Sequence, residues 1–81
     1  MIINLDKLDN EILNLEKEFQ LNVSSGSTIH KFVHYCSLAK GNLTLARYDL
    51  QKSNDEKFKV HMKRVRKAII GMKEVIYGQY N

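Results

Sequence analysis

The sequence predicts an all-α, three-helix domain with a long antiparallel helical hairpin, formed by helices 2 and 3, and a packed N-terminal helix. Three apolar series with alternating steps of three and four residues indicate amphipathic helices. The 81 residues contain no proline, and the small polar stretch LNVSSGST at residues 21–28 separates the first two series. We therefore expect a single helical domain over residues 1–81, without any β-strand.

The first helix is predicted at about residues 4–20. Asn4 or Asp6 is a suitable N-cap, and acidic residues in the first turns favour the positive end of the helix dipole. The apolar stripe of this helix consists of Leu5, Leu8, Ile12, Leu15 and Phe19.

The second helix is predicted at about residues 27–52, beginning at Ser27 or Thr28. Its main apolar stripe consists of Ile29, Phe32, Cys36, Ala39, Leu43, Ala46 and Leu50. The Gly-Asn pair within KGN at residues 40–42 is a turn signal, so two shorter helices are the alternative. The stripe keeps its phase across Gly41, which favours one long helix.

A second apolar face lies on the opposite side of helix 2. It consists of Leu38, Gly41, Leu45 and Tyr48. We expect this face to contact another copy of the chain, with Gly41 permitting close approach of a backbone. The alternative is that Leu45 and Tyr48 face helix 1. The small core of a chain of this length also favours a homo-oligomer.

The third helix is predicted at about residues 54–78. The sequence SNDE at residues 53–56 matches a capping box, in which Ser53 and Glu56 bond to each other's backbone amides. The short link requires helices 2 and 3 to be antiparallel. The inward stripe of helix 3 consists of Phe58, Met62, Val65, Ile69, Met72 and Ile76.

Charge is distributed unevenly along the chain. Residues 1–22 carry five acids and two lysines, whereas residues 57–81 carry seven bases and one acid, Glu74. Solvated helix faces usually intersperse acids with bases, so a nearly unrelieved basic arc predicts an anionic partner. Candidates are nucleic acid, a nucleotide, an acidic protein, or the acidic first helix of a neighbouring chain. The predicted anion-binding residues are Lys59, Lys63, Arg64, Arg66, Lys67 and Lys73.

Two tyrosines near this arc, Tyr77 and Tyr80, are candidates for stacking on bases. Tyrosines at such positions more often border a core and keep the hydroxyl in water. Both interpretations remain open from the sequence.

Catalytic and metal-binding patterns are weak. His30 and His34 have the spacing of a helical zinc site, but no glutamate lies between them to act as a base. Cys36 lies on the main apolar stripe, where a cysteine behaves as a small buried hydrophobe. We therefore expect no enzymatic activity, no metal and no cofactor. The absence of a signal-peptide core, of a membrane-length apolar segment and of a second cysteine predicts a cytoplasmic protein with no membrane partner.

These features favour a small non-enzymatic binding module that self-associates and engages nucleic acid or a nucleotide through the basic face of its last helix. A different interpretation is self-assembly, in which helix 1 of one chain neutralises helix 3 of the next. The alternative function is a phage or mobile-element regulator that antagonises a host protein or sequesters a nucleotide signal. The sequence SNDEKF at residues 53–58 and the small Ala68 loosely resemble phage anti-defence proteins that oligomerise and sequester cyclic nucleotides. The run HMKRVRKAII at residues 61–70 is more basic than that family's pattern.

Overall fold

The computed structural model describes residues 4–22 and 26–78, which form three α-helices. These are α1 (Leu5–Asn22), α2 (Gly26–Gln51) and α3 (Asp55–Gly78). The helices α2 and α3 form an extensively packed hairpin, and α1 packs against both. The predicted fold class is therefore confirmed, and no described residue belongs to a β-strand. At the start of α1 the Lys7 amide donates to Oδ1 of Asn4 at 3.3 Å, so Asn4 is the N-cap.

The core lies where the apolar stripes of the three helices meet. Most predicted stripe residues are buried, including Ile12 and Leu15 of α1 and Val65 of α3. The rings of Phe19 and Phe32 stack in parallel with centroids 3.9 Å apart, which joins the end of α1 to the first half of α2. This arrangement places α1 antiparallel to α2.

The helix α2 is continuous through Gly41, and its buried side differs from the predicted stripe. Ile29 and Leu50 are exposed, whereas Asn42 and Asp49 are buried. The reason is that α3 packs on the flank of α2 that carries Asp49, so the interior extends to that flank. The Asn42 side-chain amide donates to the Leu38 carbonyl at 2.8 Å. No buried side-chain nitrogen or oxygen among the described residues lacks a hydrogen-bond partner.

Two residues, Ser53 and Asn54, form most of the turn between α2 and α3. The Ser53 amide donates to the Leu50 carbonyl at 3.1 Å, and the Asn54 amide donates to the Asp49 carbonyl at 2.9 Å. These two bonds, with Ser53 at a φ of 54°, define a Schellman motif.

The same turn also begins α3. The Lys57 amide donates to Oδ1 of Asn54 at 3.2 Å, so Asn54 is the N-cap. The predicted capping box of Ser53 with Glu56 is wrong, because Ser53 adopts the left-handed conformation that ends α2, whereas an N-cap residue has extended dihedrals.

None of the helices in residues 4–22 and 26–78 has the length and apolar character needed to cross a bilayer.

Candidate nucleic-acid interface

The outward side of α3 carries a cluster of cations that we name the basic face. Burial of Met62, Val65 and Ile69 fixes the rotation of the helix and directs these cations to solvent. All of them are exposed, and none forms an ion pair or hydrogen bond with another described residue. They extend over about 12 Å of helix at 1.5 Å per residue. The basic face consists of Lys59, Lys63, Arg64, Arg66 and Lys67.

Lys73, the sixth predicted anion-binding residue, is placed differently from the other five. Its Nζ atom lies 2.8 Å from Oε1 of Glu11 on α1. The hydrogen bond to Glu11 raises the pKa of Lys73 above its ordinary value. Lys73 therefore borders the basic face with its charge already balanced by a carboxylate.

His61 lies within the basic run of the sequence but is largely turned away from solvent. Its Nδ1 atom lies 2.5 Å from Oδ2 of Asp49, and the Asp49 side chain is almost completely buried. The carboxylate can only accept, so Nδ1–H of His61 donates. This polar pair joins α2 to α3 near the turn and separates His61 from the basic face.

The acids of α1 contact bases on the neighbouring helices of the same chain. Glu16 lies 2.9 Å from Nζ of Lys40, and the hydrogen bond raises the pKa of that lysine. Arg47 of α2 contacts both Asp6 and Asp9, and its pKa is raised mainly by the hydrogen bond to Asp9. These acids attach α1 to α2, while no carboxylate in the described part of the chain contacts the five cations of the basic face.

C-terminal to the basic face, α3 exposes one aliphatic and one aromatic side chain to solvent. Ile70 is 55% exposed and Tyr77 is 50% exposed. The Tyr77 hydroxyl donates to Oε2 of Glu18 on α1 at 3.0 Å, and this bond raises the pKa of the phenol. A shallow hollow of about 360 Å³ is lined by Ile70, Lys73, Glu74, Tyr77 and Gly78. Tyr80, the other candidate stacking residue, lies outside the described residues.

The second apolar face of α2 is open to solvent in the single chain. Leu38, Leu45 and Tyr48 are 42%, 46% and 56% exposed, so α1 does not cover Leu45 or Tyr48. A methyl group added at Gly41 would meet no atom within 4 Å. The ammonium of Lys52 lies 5.7 Å from the centre of the Tyr48 ring. We name Leu38, Gly41, Leu45 and Tyr48 the apolar face.

A wider open groove lies between the first turns of α2 and the last turns of α3. Its volume is about 650 Å³. The Tyr35 ring packs directly on the backbone of α3, because a Cβ atom at Gly71 would lie only 2.5 Å from Tyr35 Cδ1. Sequence reasoning missed this contact. The residues that line this terminal groove are Thr28, His30, Lys31, His34, Tyr35, Gly71, Glu74, Val75 and Gly78.

Metal ligands and nucleophiles are sparse in the described part of the chain. His30 and His34 are both exposed, and no three His, Cys, Asp or Glu side chains among residues 4–22 and 26–78 are placed to share a metal ion. Cys36 is buried, and burial followed by the charge of Glu16 raises the pKa of its thiol. The protonated thiol is therefore favoured at neutral pH, and it is a poor nucleophile.

Comparisons of the chain with family models, with curated proteins and with solved structures find no match. We therefore infer function from the chemistry and geometry of the surfaces described above.

Proposed function

We propose that this protein is a small non-enzymatic helical module that binds nucleic acid through the basic face of α3 and self-associates through the apolar face of α2. The observation that carries the proposal is the group of five exposed cations that contact no acidic side chain among residues 4–22 and 26–78. In the same chain Lys40, Arg47 and Lys73 each contact a carboxylate of α1. The acids of helix 1 are thus engaged inside the chain, which disfavours their use by the basic face of a neighbouring chain.

The length of the basic face favours a polymer over a single nucleotide. About 12 Å of helix is long enough for several successive phosphates of a strand to contact the cations together, whereas a single nucleotide would engage only part of the face. Binding releases condensed counterions and relieves repulsion among the cations. The antiparallel approach of α2 to α3 differs from the crossing of about 90–120° in a helix-turn-helix, so binding is expected to be independent of sequence.

Self-association is supported by the exposure of the apolar face. Leu38, Leu45 and Tyr48 leave large apolar groups in water, and Gly41 leaves space for a second backbone. A domain this small gains proportionally more from covering such a face than a large one does. A homo-oligomer would also place several basic faces on one particle and increase avidity for a long polyanion.

The terminal groove favours a second candidate, in which the protein is a regulator that sequesters a nucleotide. Its volume falls in the range of about 300–1,000 Å³ that small-molecule sites occupy. Lys31 and the imidazoles of His30 and His34 offer donors to phosphate, and Tyr35 offers a ring, while Glu74 in the same groove disfavours phosphate near it. Mass spectrometry of small molecules released from the purified protein tests this candidate: a stoichiometric nucleotide supports it and bare protein contradicts it.

The principal proposal is tested by fluorescence anisotropy with a labelled oligonucleotide at several salt concentrations. The double variant Lys63→Glu with Lys67→Glu should bind much more weakly, with a salt slope smaller by about two. Lys7→Glu with Lys17→Glu is the matched control, because both lysines are exposed on α1 and the change in net charge is the same. An equal loss of oligonucleotide affinity in the two double variants would overturn the proposal. So would a wild type that does not bind the oligonucleotide at low salt.

Self-association is tested separately by light scattering over a range of protein concentrations. The variant Leu45→Glu should reduce the particle mass, because a charge would have to be buried at the contact. Leu13→Glu is the control, because Leu13 is similarly exposed but lies on α1. A wild type that remains monomeric at the highest concentration would remove this part of the proposal.

A further inference from the structure

We propose further that the preferred ligand is single-stranded nucleic acid, and that the Tyr77 ring is a platform on which one base stacks beside Ile70. This inference rests on the proposed function and specifies the class of nucleic acid. Its basis is that the exposed side chains of Ile70 and Tyr77 follow the basic face along the same helix, α3.

The continuity follows from helical spacing. Lys59, Lys63, Arg66, Ile70 and Tyr77 are separated by four, three, four and seven residues, so they lie along one side of the helix. A strand held by the first three of these residues therefore passes over the other two. Proteins that bind single strands combine cations that contact the backbone with exposed rings on which bases stack.

Tyr77 is held in a position suited to stacking. Its hydroxyl is fixed by Glu18 while half of the side chain remains exposed, so the ring is ordered before a ligand arrives. Pre-ordering reduces the entropy that binding would otherwise cost. The hollow beside the ring is also lined by Ile70, Lys73 and Glu74. Because Glu74 is acidic and the charge of Lys73 is balanced by Glu11, the hollow suits an uncharged base better than a phosphate.

The border of the basic face disfavours a duplex. Double-stranded DNA presents two phosphate backbones on either side of a major groove about 12 Å wide. Lys59, Lys63 and Arg66 form the stripe that leads to Tyr77, and Arg64 and Lys67 widen the basic face beside it. The flank of α1 beside Lys73 and Tyr77 carries Glu11 and Glu18, which contact them. A second backbone on that side would therefore meet carboxylates, whereas a single strand requires only the stripe.

The test compares three labelled or competing polyanions: single-stranded oligothymidine, a duplex of equal length, and inorganic polyphosphate, which has charge but no bases. We expect the wild type to bind the single strand more tightly than the duplex at the same salt concentration. Tyr77→Ala should weaken single-strand binding about fivefold or more and leave polyphosphate binding unchanged. Tyr77→Phe retains the ring and should keep most of the affinity. Circular dichroism confirms that each variant remains helical.

The outcomes separate this inference from the proposed function. Binding of all three polyanions with no effect of Tyr77→Ala would overturn the stacking platform and leave the basic face standing. Preference for the duplex would overturn the single-strand assignment. Equal losses for oligothymidine and polyphosphate would show that Tyr77 acts on the fold or on charge and not on a base. Failure to bind any polyanion at low salt would overturn both proposals together.

Discussion

Two helical glycines in different surroundings provide a sharp test of the packing. Gly41 and Gly71 both lie inside helices, and no described glycine has a positive φ. Alanine is favoured over glycine in a helix interior by about 1 kcal/mol, so replacement by alanine has the same intrinsic benefit at both positions. The difference is that a methyl group meets empty space at Gly41 and the Tyr35 ring at Gly71.

The expected magnitudes follow from these surroundings. Gly41→Ala should raise the free energy of unfolding by about 0.8–1 kcal/mol. At Gly71 the new Cβ would lie 2.5 Å from Tyr35 Cδ1 and 2.8 Å from Tyr35 Cγ, so rotating the far end of the ring does not relieve the clash. Overpacking costs about 1–3 kcal/mol. After subtraction of the helix benefit, Gly71→Ala should be destabilising by about 0–2 kcal/mol.

Urea denaturation followed by far-UV circular dichroism measures both variants, at a protein concentration low enough to avoid association. The two free energies of unfolding should differ by about 1–3 kcal/mol, with Gly41→Ala the more stable. In a Tyr35→Ala background the clash is absent, so Gly71→Ala should become stabilising. Equal stabilisation by the two alanines in the wild-type background would refute the described contact between Tyr35 and α3.

Three further predictions concern the turn and the polar contacts between helices. Asp49→Ala leaves His61 without its carboxylate and should lower the free energy of unfolding by about 2–3 kcal/mol; an unchanged urea midpoint would contradict the buried pair. Ser53→Gly should raise the melting temperature by a few degrees, because glycine adopts a φ of 54° without the cost that a Cβ imposes; a lower melting temperature would contradict the Schellman turn. Glu18→Gln should lower the pKa of Tyr77, measured by NMR of the tyrosine rings. Because the pKa is raised, the Tyr77–Glu18 contact stabilises the fold fully below the ordinary phenol pKa of about 10. This stabilisation is lost as the pH rises through the raised pKa. A Tyr77 pKa that does not change in the Glu18→Gln variant would contradict the contact.

The helices and the outward placement of the basic face could be predicted from the sequence because both depend on periodicity within a single helix. The stripe of α3 contains Met62 and Val65, and burial of these residues fixes which side faces water. The interior flank of α2 could not be predicted in this way. It depends on how far α3 is rotated around α2, and this rotation buries Asn42 and Asp49 in addition to the apolar stripe.

The two contacts between α2 and α3 that the sequence analysis did not predict could be found from the number of residues between each partner and the turn. In an antiparallel hairpin, residues at similar distances before and after the turn lie at the same level. Asp49 and His61 are twelve residues apart on either side of the turn, and Tyr35 and Gly71 are the corresponding pair farther along. The sequence pairs an acid with a histidine and a large ring with a glycine at these levels. An acid can bond a histidine and a glycine leaves room for a ring, so these pairs are expected to be in contact once the hairpin is predicted.

The attachment of α1 has a consequence for the order in which the protein opens. This helix buries Leu5, Ile12, Leu15 and Phe19 in the core, but it contacts α2 and α3 far less extensively than those two helices contact each other. The ion pairs that hold it are mostly exposed. Exposed ion pairs contribute about 0–1 kcal/mol each and are screened by salt. Backbone amides of α1 should therefore exchange with deuterated solvent before those of the hairpin, and raising the salt concentration should widen that difference. In limited proteolysis the first cuts should fall in α1, leaving a hairpin fragment whose newly uncovered surface includes Phe32.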